Sequence, residues 1–206
     1  MTGLWTYETE ARAAGFSLVC GVDEAGAGPL MGPVYAAAVI LPESCDLPGL
    51  NDSKKLTEKK REALFPLIQQ QALAWSVASV SAREIDDTDI LSARMKAMQL
   101  AIDGLSQKPD LALIDGNRDR GRCAAILTPH RCLIGGDGLS ASIAAASVLA
   151  KVSRDDLMLK AAEEYPGYGF EIHKGYGTKA HYAALEEKGP CAIHRRTFLR
   201  KFYGQK

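Results

Sequence analysis

The apolar run Phe16-Ser17-Leu18-Val19-Cys20-Gly21-Val22 ends on two adjacent carboxylates, Asp23 and Glu24, and passes at once into the turn Ala25-Gly26-Ala27-Gly28-Pro29. No other stretch constrains the fold as tightly. A run of this kind reads as a buried strand, so two acids must be accommodated where water is scarce. Like charges that lose solvation raise one another's pKa, and a divalent cation is the natural compensation. Neighbouring strand residues point to opposite faces, so Asp23 and Glu24 can share one site only if the strand ends or twists there. Taken alone, the stretch also reads as an ordinary polar strand end.

The pattern recurs downstream. Leu111-Ala112-Leu113-Ile114 is a short buried strand ending at Asp115-Gly116, and the segments Ala124–Leu127 and Arg131–Ile134, one interrupted strand or two, lead to Gly135-Gly136-Asp137. Between these acids the spacing predicts a short helix near Thr6–Ala14, a second strand over Val34–Leu41 and a third over Trp75–Val80. A helix capped by Thr57 or Ser53 runs to about Ala72, kinked or split at Pro66. An acidic turn at Asp86 and Asp87 precedes a helix from about Thr88 to Leu105, whose Ile90, Met95, Met98, Ile102 and Leu105 read as a core stripe rather than a cofactor box. A long helix follows over Leu139–Glu164, with Ser142, Ala144, Ala145, Ala146, Ser147 and Ala150 small enough for close approach to a sheet. Strands in a run, then strands and helices in alternation, predict an α/β mixed sheet flanked by helices. Ligands on such sheets sit beyond strand ends, where Asp23, Asp115 and Asp137 can be collected.

The chain of 206 residues is 47% hydrophobic, enough for one core, and its five cysteines form no CxxC pair. They are expected to be reduced and mostly packed. No run approaches the roughly 20 apolar residues that span a bilayer, and the amino terminus lacks the order of a signal peptide, so a soluble, monomeric, cytoplasmic protein is expected. Net charge is zero, but from Gly167 onward eight basic residues face three acidic ones and leave that tail at +5. The expected organisation is a core over 1–165 and a small basic loop-and-helix region over 166–206, packed on it as one domain. A basic end can meet a polyanion while an acidic centre holds metal; a merely solvated tail fits the charge equally.

Asp23, Glu24, Asp115 and Asp137 are the right kind and number of oxygen donors for two hard divalent ions, Mg²⁺ or Mn²⁺. Such a pair drives in-line phosphodiester displacement. Histidine is not needed, and His130, His173, His181 and His194 read as loop or surface residues. Lys151 and Arg154 can serve phosphates, although Lys151 with Asp155 reads more simply as a surface i,i+4 ion pair.

In order, the chain carries Gly21-Val22-Asp23-Glu24-Ala25-Gly26, Asn51-Asp52-Ser53-Lys54-Lys55-Leu56, Leu113-Ile114-Asp115-Gly116-Asn117, Ala145-Ala146-Ser147 with Ala150-Lys151-Val152, and His173-Lys174-Gly175-Tyr176. These motifs span nearly the whole chain and resemble the bacterial ribonuclease HII family, of ribonuclease H-like fold. The resemblance implies that the four acids are catalytic metal ligands and that the substrates are RNA–DNA hybrids and duplex DNA containing ribonucleotides. It also implies incision on the 5′ side of a ribonucleotide, leaving 5′-phosphate and 3′-hydroxyl ends. Tyr176 is the candidate for sensing the sugar at the junction. Amides at Gly26, Ala27 and Gly28 can approach the 2′-hydroxyl, and Ser53 and Lys54 can hold a phosphate, although that stretch alone reads as a helix cap. In two places the chain departs from the family pattern. Ala27 and Gly135 stand where arginine and lysine are usual, which keeps open a hybrid- or junction-binding module with weak turnover. A metal-dependent DNA nuclease on the same fold is a third reading.

Overall fold

Period-two alternation sorts the side chains of the first strand, β1 (Val19–Ala25), between two cores. Cys20 and Val22 face one side, and Val19, Gly21, Asp23 and Ala25 face the other. The computed structural model describes residues 3–116 and 126–204. β1 pairs antiparallel with β2 (Val34–Ile40), which pairs antiparallel with β3 (Ala74–Val80). On its other edge β1 pairs parallel with β4 (Leu111–Asp115), and β4 pairs parallel with β5 (His130–Leu133). The result is one mixed five-stranded sheet in the order β3-β2-β1-β4-β5.

Helices cover both faces. α1 (Thr6–Ala13), α2 (Glu58–Gln71) and the long α5 (Ala141–Glu164) lie on the side that Asp23 shares, and α4 (Ile90–Asp103) lies on the other. The expected stripe is core: Met95, Met98, Ile102 and Leu105 are buried. α5 comes so close to β1 that a Cβ at Gly21 would stand 2.1 Å from the Ile143 amide nitrogen. Its N-terminus is capped by the Ser140 hydroxyl and by the buried carboxylate of Glu8, which accepts from the Ser140 hydroxyl and the Ser142 amide.

The carboxyl-terminal elements α6 (Phe170–His173), α7 (Lys179–Lys188) and α8 (Arg196–Leu199) pack around Phe170, Leu185 and Leu199 against Leu30, Met31 and Met158. Main-chain bonds from Leu30 to Gly175 (2.9 Å), Gly32 to Ile193 (2.8 Å) and Arg195 to Leu30 (2.9 Å) tie this region to the turn after β1. No helix among the described residues is long and apolar enough to cross a membrane.

Several expected boundaries move. β1 begins at Val19 rather than Phe16 and continues past Asp23, because β2 goes on pairing with Glu24 and Ala25. The acidic turn at Asp86 and Asp87 is the end of a helix, α3 (Ala82–Asp87), capped by Ser81. Pro66 leaves α2 unsplit, and Thr57 is its cap. Ile126 and Leu127 are not strand, and Ala124, Ala125, Asn117 and Cys123 lie outside the described residues. Of the other cysteines Cys20 is buried, Cys45 and Cys191 are half-buried, and Cys132 is exposed.

Candidate metal centre and substrate cleft

The parallel pairing of β1 with β4 runs from Val19↔Leu111 to Val22↔Ile114. One step further, Asp23 and Asp115 stand side by side on the α5 face. Asp137 reaches them from a 3-10 turn (Gly136–Gly138) between β5 and α5. One carboxylate oxygen from each of Asp23, Asp115 and Asp137 lies within 4.8 Å of the others. Each of two partners is anchored by an amide: Asp23 Oδ1 accepts from Glu24 (2.7 Å) and Asp115 Oδ1 from Gly136 (2.6 Å). Asp23 and Asp137 are 4% and 6% exposed. Burial first, then the charges of Glu24 and Asp115, push the Asp23 carboxyl well above its usual range. Burial, a hydrogen bond with Asp52 and the charge of Asp115 raise Asp137 to about 6.

Lys54 faces this cluster, its Nζ 3.6 Å from Asp137 Oδ2. Burial would lower its pKa, but the carboxylates of Asp23, Asp137, Asp52 and Asp115 raise it.

Glu24 takes the other face, as strand alternation requires. Its Oε1 meets Nη2 of Arg94 on α4 at 2.6 Å, and its Oε2 is buried without a hydrogen-bond partner among the described residues. Glu24 thus lies outside the trio. It still opens into the same cleft, because beyond Val22 β1 pairs only with β2 and leaves its other edge clear.

Asp23, Glu24, Gly26, Ala27, Gly28, Ser53, Lys54 and Tyr176 line that cleft together with Lys151 and Arg154. The structure therefore gathers every sequence-selected substrate residue beside the carboxylates. Gly26 has φ 90, and a Cβ there would stand 2.0 Å from Arg154 Nε. The turn is held from beneath by Arg195, whose guanidinium donates to the carbonyls of Gly26, Ala27, Pro29 and Gly32. Burial, and then the charge of Arg154, lower the Arg195 pKa to about 9. Tyr176 is presented by a loop in which Lys174 takes φ 49 and Gly175 φ 84, and its ring, 47% exposed, borders Gly28.

Some expectations are corrected here. Arg154 is fully buried and donates to the carbonyls of Lys174 and Met31, so it braces the Tyr176 loop. Lys151 and Asp155 do pair, at 2.6 Å, but half-buried and with Arg61 alongside. His181 and His194 are 0% and 2% exposed, not surface residues, and Arg195 of the basic tail is internal. Arg94 and Arg195 escaped the sequence reading as site residues. Arg94 left a signal: it falls at four-residue spacing between Ile90 and Met98, a charge on an inward stripe. Arg195 left none.

Oxygen donors alone make up the trio, and burial raises the carboxyl pKa of Asp23 and of Asp137, which a nearby positive charge would offset. Both facts fit a hard divalent cation.

The ribonuclease HII family model matches residues 20–202 of this chain. A ribonuclease HII of Burkholderia mallei is 54% identical over 181 residues, covering 88% of this chain and 83% of that protein. The fold is similar to that of the Pyrococcus horikoshii ribonuclease H2, with TM-score 0.73 and 26% identity over 88% of this chain and 93% of that one. It is similar also to the Archaeoglobus fulgidus ribonuclease HII solved in complex with PCNA, with TM-score 0.74 and 25% identity over 87% and 94%.

Proposed function

The chain belongs to the ribonuclease HII family, and from that premise we propose an endoribonuclease acting on RNA–DNA hybrids and on ribonucleotides embedded in duplex DNA. The convergence of Asp23, Asp115 and Asp137 at the head of the cleft that ends on Tyr176 carries this reading. Water adds to the phosphorus on the 5′ side of a ribonucleotide, the P–O3′ bond breaks, and the 3′-oxygen leaves as a hydroxyl. A 5′-phosphate stays on the ribonucleotide.

Asp23, Asp115, Asp137 and Glu24 would hold two divalent ions, Mg²⁺ or Mn²⁺, which when bound supply Lewis acidity at the phosphodiester and acidify the attacking water. The chain's own residues position the substrate. Lys54, held cationic by the carboxylates it faces, has an exposed head to offer a phosphate; Ser53 lies beneath it. Gly26 and Gly28 carry no Cβ, so a 2′-hydroxyl can approach the main-chain amides of Gly26, Ala27 and Gly28. The Tyr176 ring stacks on the sugar at the junction, so that only a ribonucleotide brings its phosphate onto the acids. Residues 166–206 supply that tyrosine and the inner brace of the turn. One chain carries the whole constellation, consistent with a monomer working in the cytoplasm.

A duplex carrying a single ribonucleotide, incubated with Mg²⁺ or Mn²⁺, is expected to be nicked on its 5′ side. Asp23→Asn and Asp115→Asn should each lower the rate by at least about 100-fold, the scale on which removing one preorganised electrostatic group acts. Tight binding without turnover would favour the junction-binding module that Ala27 and Gly135 suggest. Equal cutting of all-DNA duplex would mean a general nuclease.

A further inference from the structure

Beneath the loop that presents Tyr176, a chain of hydrogen bonds ends on that residue's own carbonyl. The Cys191 amide meets Nδ1 of His194 at 3.0 Å. Nε2 of His194 lies 3.0 Å from Nε2 of His181, and Nδ1 of His181 lies 2.9 Å from the Tyr176 oxygen. The proton positions follow from what each end can do. A carbonyl only accepts, so His181 carries its proton on Nδ1 and presents a lone pair at Nε2. A backbone amide only donates, so His194 presents a lone pair at Nδ1 and directs its Nε2 proton at His181. One proton per ring satisfies every contact. A second proton on either ring would set N–H against N–H.

The pair joins the two halves of the sugar-facing wall. His194 bridges Met31 on the turn side of the sheet, and the next residue, Arg195, is the brace of the Gly26–Pro29 carbonyls. His181 holds Tyr176, whose carbonyl also accepts from the Thr178 amide at 2.8 Å. We propose that His181 and His194 are positioning residues that set Tyr176 against the Gly26–Gly28 turn, and that they do so only as two neutral imidazoles. This rests on the reading of Tyr176 as the group that senses the ribose.

The surroundings favour the neutral pair. His173 stacks on His181 with ring centroids 4.4 Å apart. Tyr168 and Phe170 close over His194, the Cys191 sulfur lies 3.0 Å from its Nδ1, and the positive charge of Arg196 opposes a second proton on the ring. Burial first, then His181 and Arg196, lower the His194 pKa to about 4. Burial, and the neighbouring His173, lower that of His181 despite its bond to Tyr176.

Long-range ¹H–¹⁵N spectra of histidine-labelled protein at pH 6 should show His181 protonated on Nδ1 alone and His194 on Nε2 alone. An imidazolium at either position overturns the inference, and this measurement needs no variant to fold. In cleavage of a duplex with one ribonucleotide, His181→Ala is expected to lower kcat/KM on the order of 10- to 100-fold, the scale of a small misplacement of a positioning group. His181→Asn, whose amide can take the place of the Nδ1 donor, should recover most of that loss. Introduced together with Tyr176→Ala, His181→Ala should add nothing further. An additive loss, or no rescue by asparagine, overturns the positioning role. Tyr176→Ala alone separates the two readings. If it leaves the preference for ribonucleotides intact, the assignment of Tyr176 fails; if it abolishes that preference while His181→Ala does not alter it, only the positioning inference fails.

Discussion

Asp23 and Glu24 are adjacent in the chain and leave β1 on opposite faces, so their immediate partners differ although both line one cleft. Asp23 joins Asp115 and Asp137, while Glu24 is met by Arg94. The arginine stands in for positive charge at a carboxylate that a cation would otherwise satisfy. Arg94→Ala should therefore lower stability by about 2 kcal/mol in metal-free protein, a value between the loss of an exposed pair and that of a fully buried one. Added Mg²⁺ should raise the melting temperature of this variant more than that of the parent, which calorimetry with and without the ion will read. The acids themselves were legible in the sequence, because a carboxylate closing an apolar run recurs at Asp23, Asp115 and Asp137. The partner of Glu24 was not, because α4 is brought over β1 only by the packing of Met95, Met98 and Ile102 against the sheet.

At the scale of elements, the closest approach is that of α5 to β1. Gly21 leaves no room for even a methyl group, the nearest atoms being the main chain of Ser142 and Ile143. Gly21→Ala should cost about 3 kcal/mol, the upper part of the range for overpacking, seen as a lower denaturant midpoint at unchanged slope. The run of small residues along α5 foretold this contact. The carboxyl-terminal region was less legible: a basic loop-and-helix region was expected, with its histidines in loops or at the surface and Arg195 in a tail that meets a polyanion or solvent. Polar residues in loops are ordinarily exposed. Here Phe170, Leu185 and Leu199 form a satellite core that encloses them, and main-chain carbonyls, invisible to any residue-type pattern, are their partners.

For the whole molecule, proton linkages of opposite sign meet in one pH range: burial raises the pKa of the Asp23 and Asp137 carboxyls and lowers that of the His181 and His194 imidazoles. Asp137, raised to about 6 in metal-free protein, binds a proton more tightly folded than unfolded, so its contribution to stability grows as pH falls through 6 toward 4 and is lost as pH rises. His194, lowered from 6.5 to about 4, contributes stability above pH 6.5 that is lost as pH falls toward 4. Each effect amounts to roughly 3 kcal/mol at full extent, and they oppose. Urea unfolding of metal-free protein at pH 7 and pH 5 separates the two groups: relative to the native chain, Asp137→Asn should shift the change in stability on acidification toward loss, and His194→Gln should shift it toward gain. The sequence by itself determined the mixed α/β fold and the carboxylates beyond its strands, because alternation and strand ends are local consequences of residue type; Ser53, Lys54 and Tyr176 were reached through the resemblance of its motifs to a family. Only the tertiary structure decided which acids share a site, which basic residues brace main-chain carbonyls instead of meeting substrate, and where the buried histidine protons reside. Those outcomes depend on which distant groups are brought within a few ångströms and deprived of water.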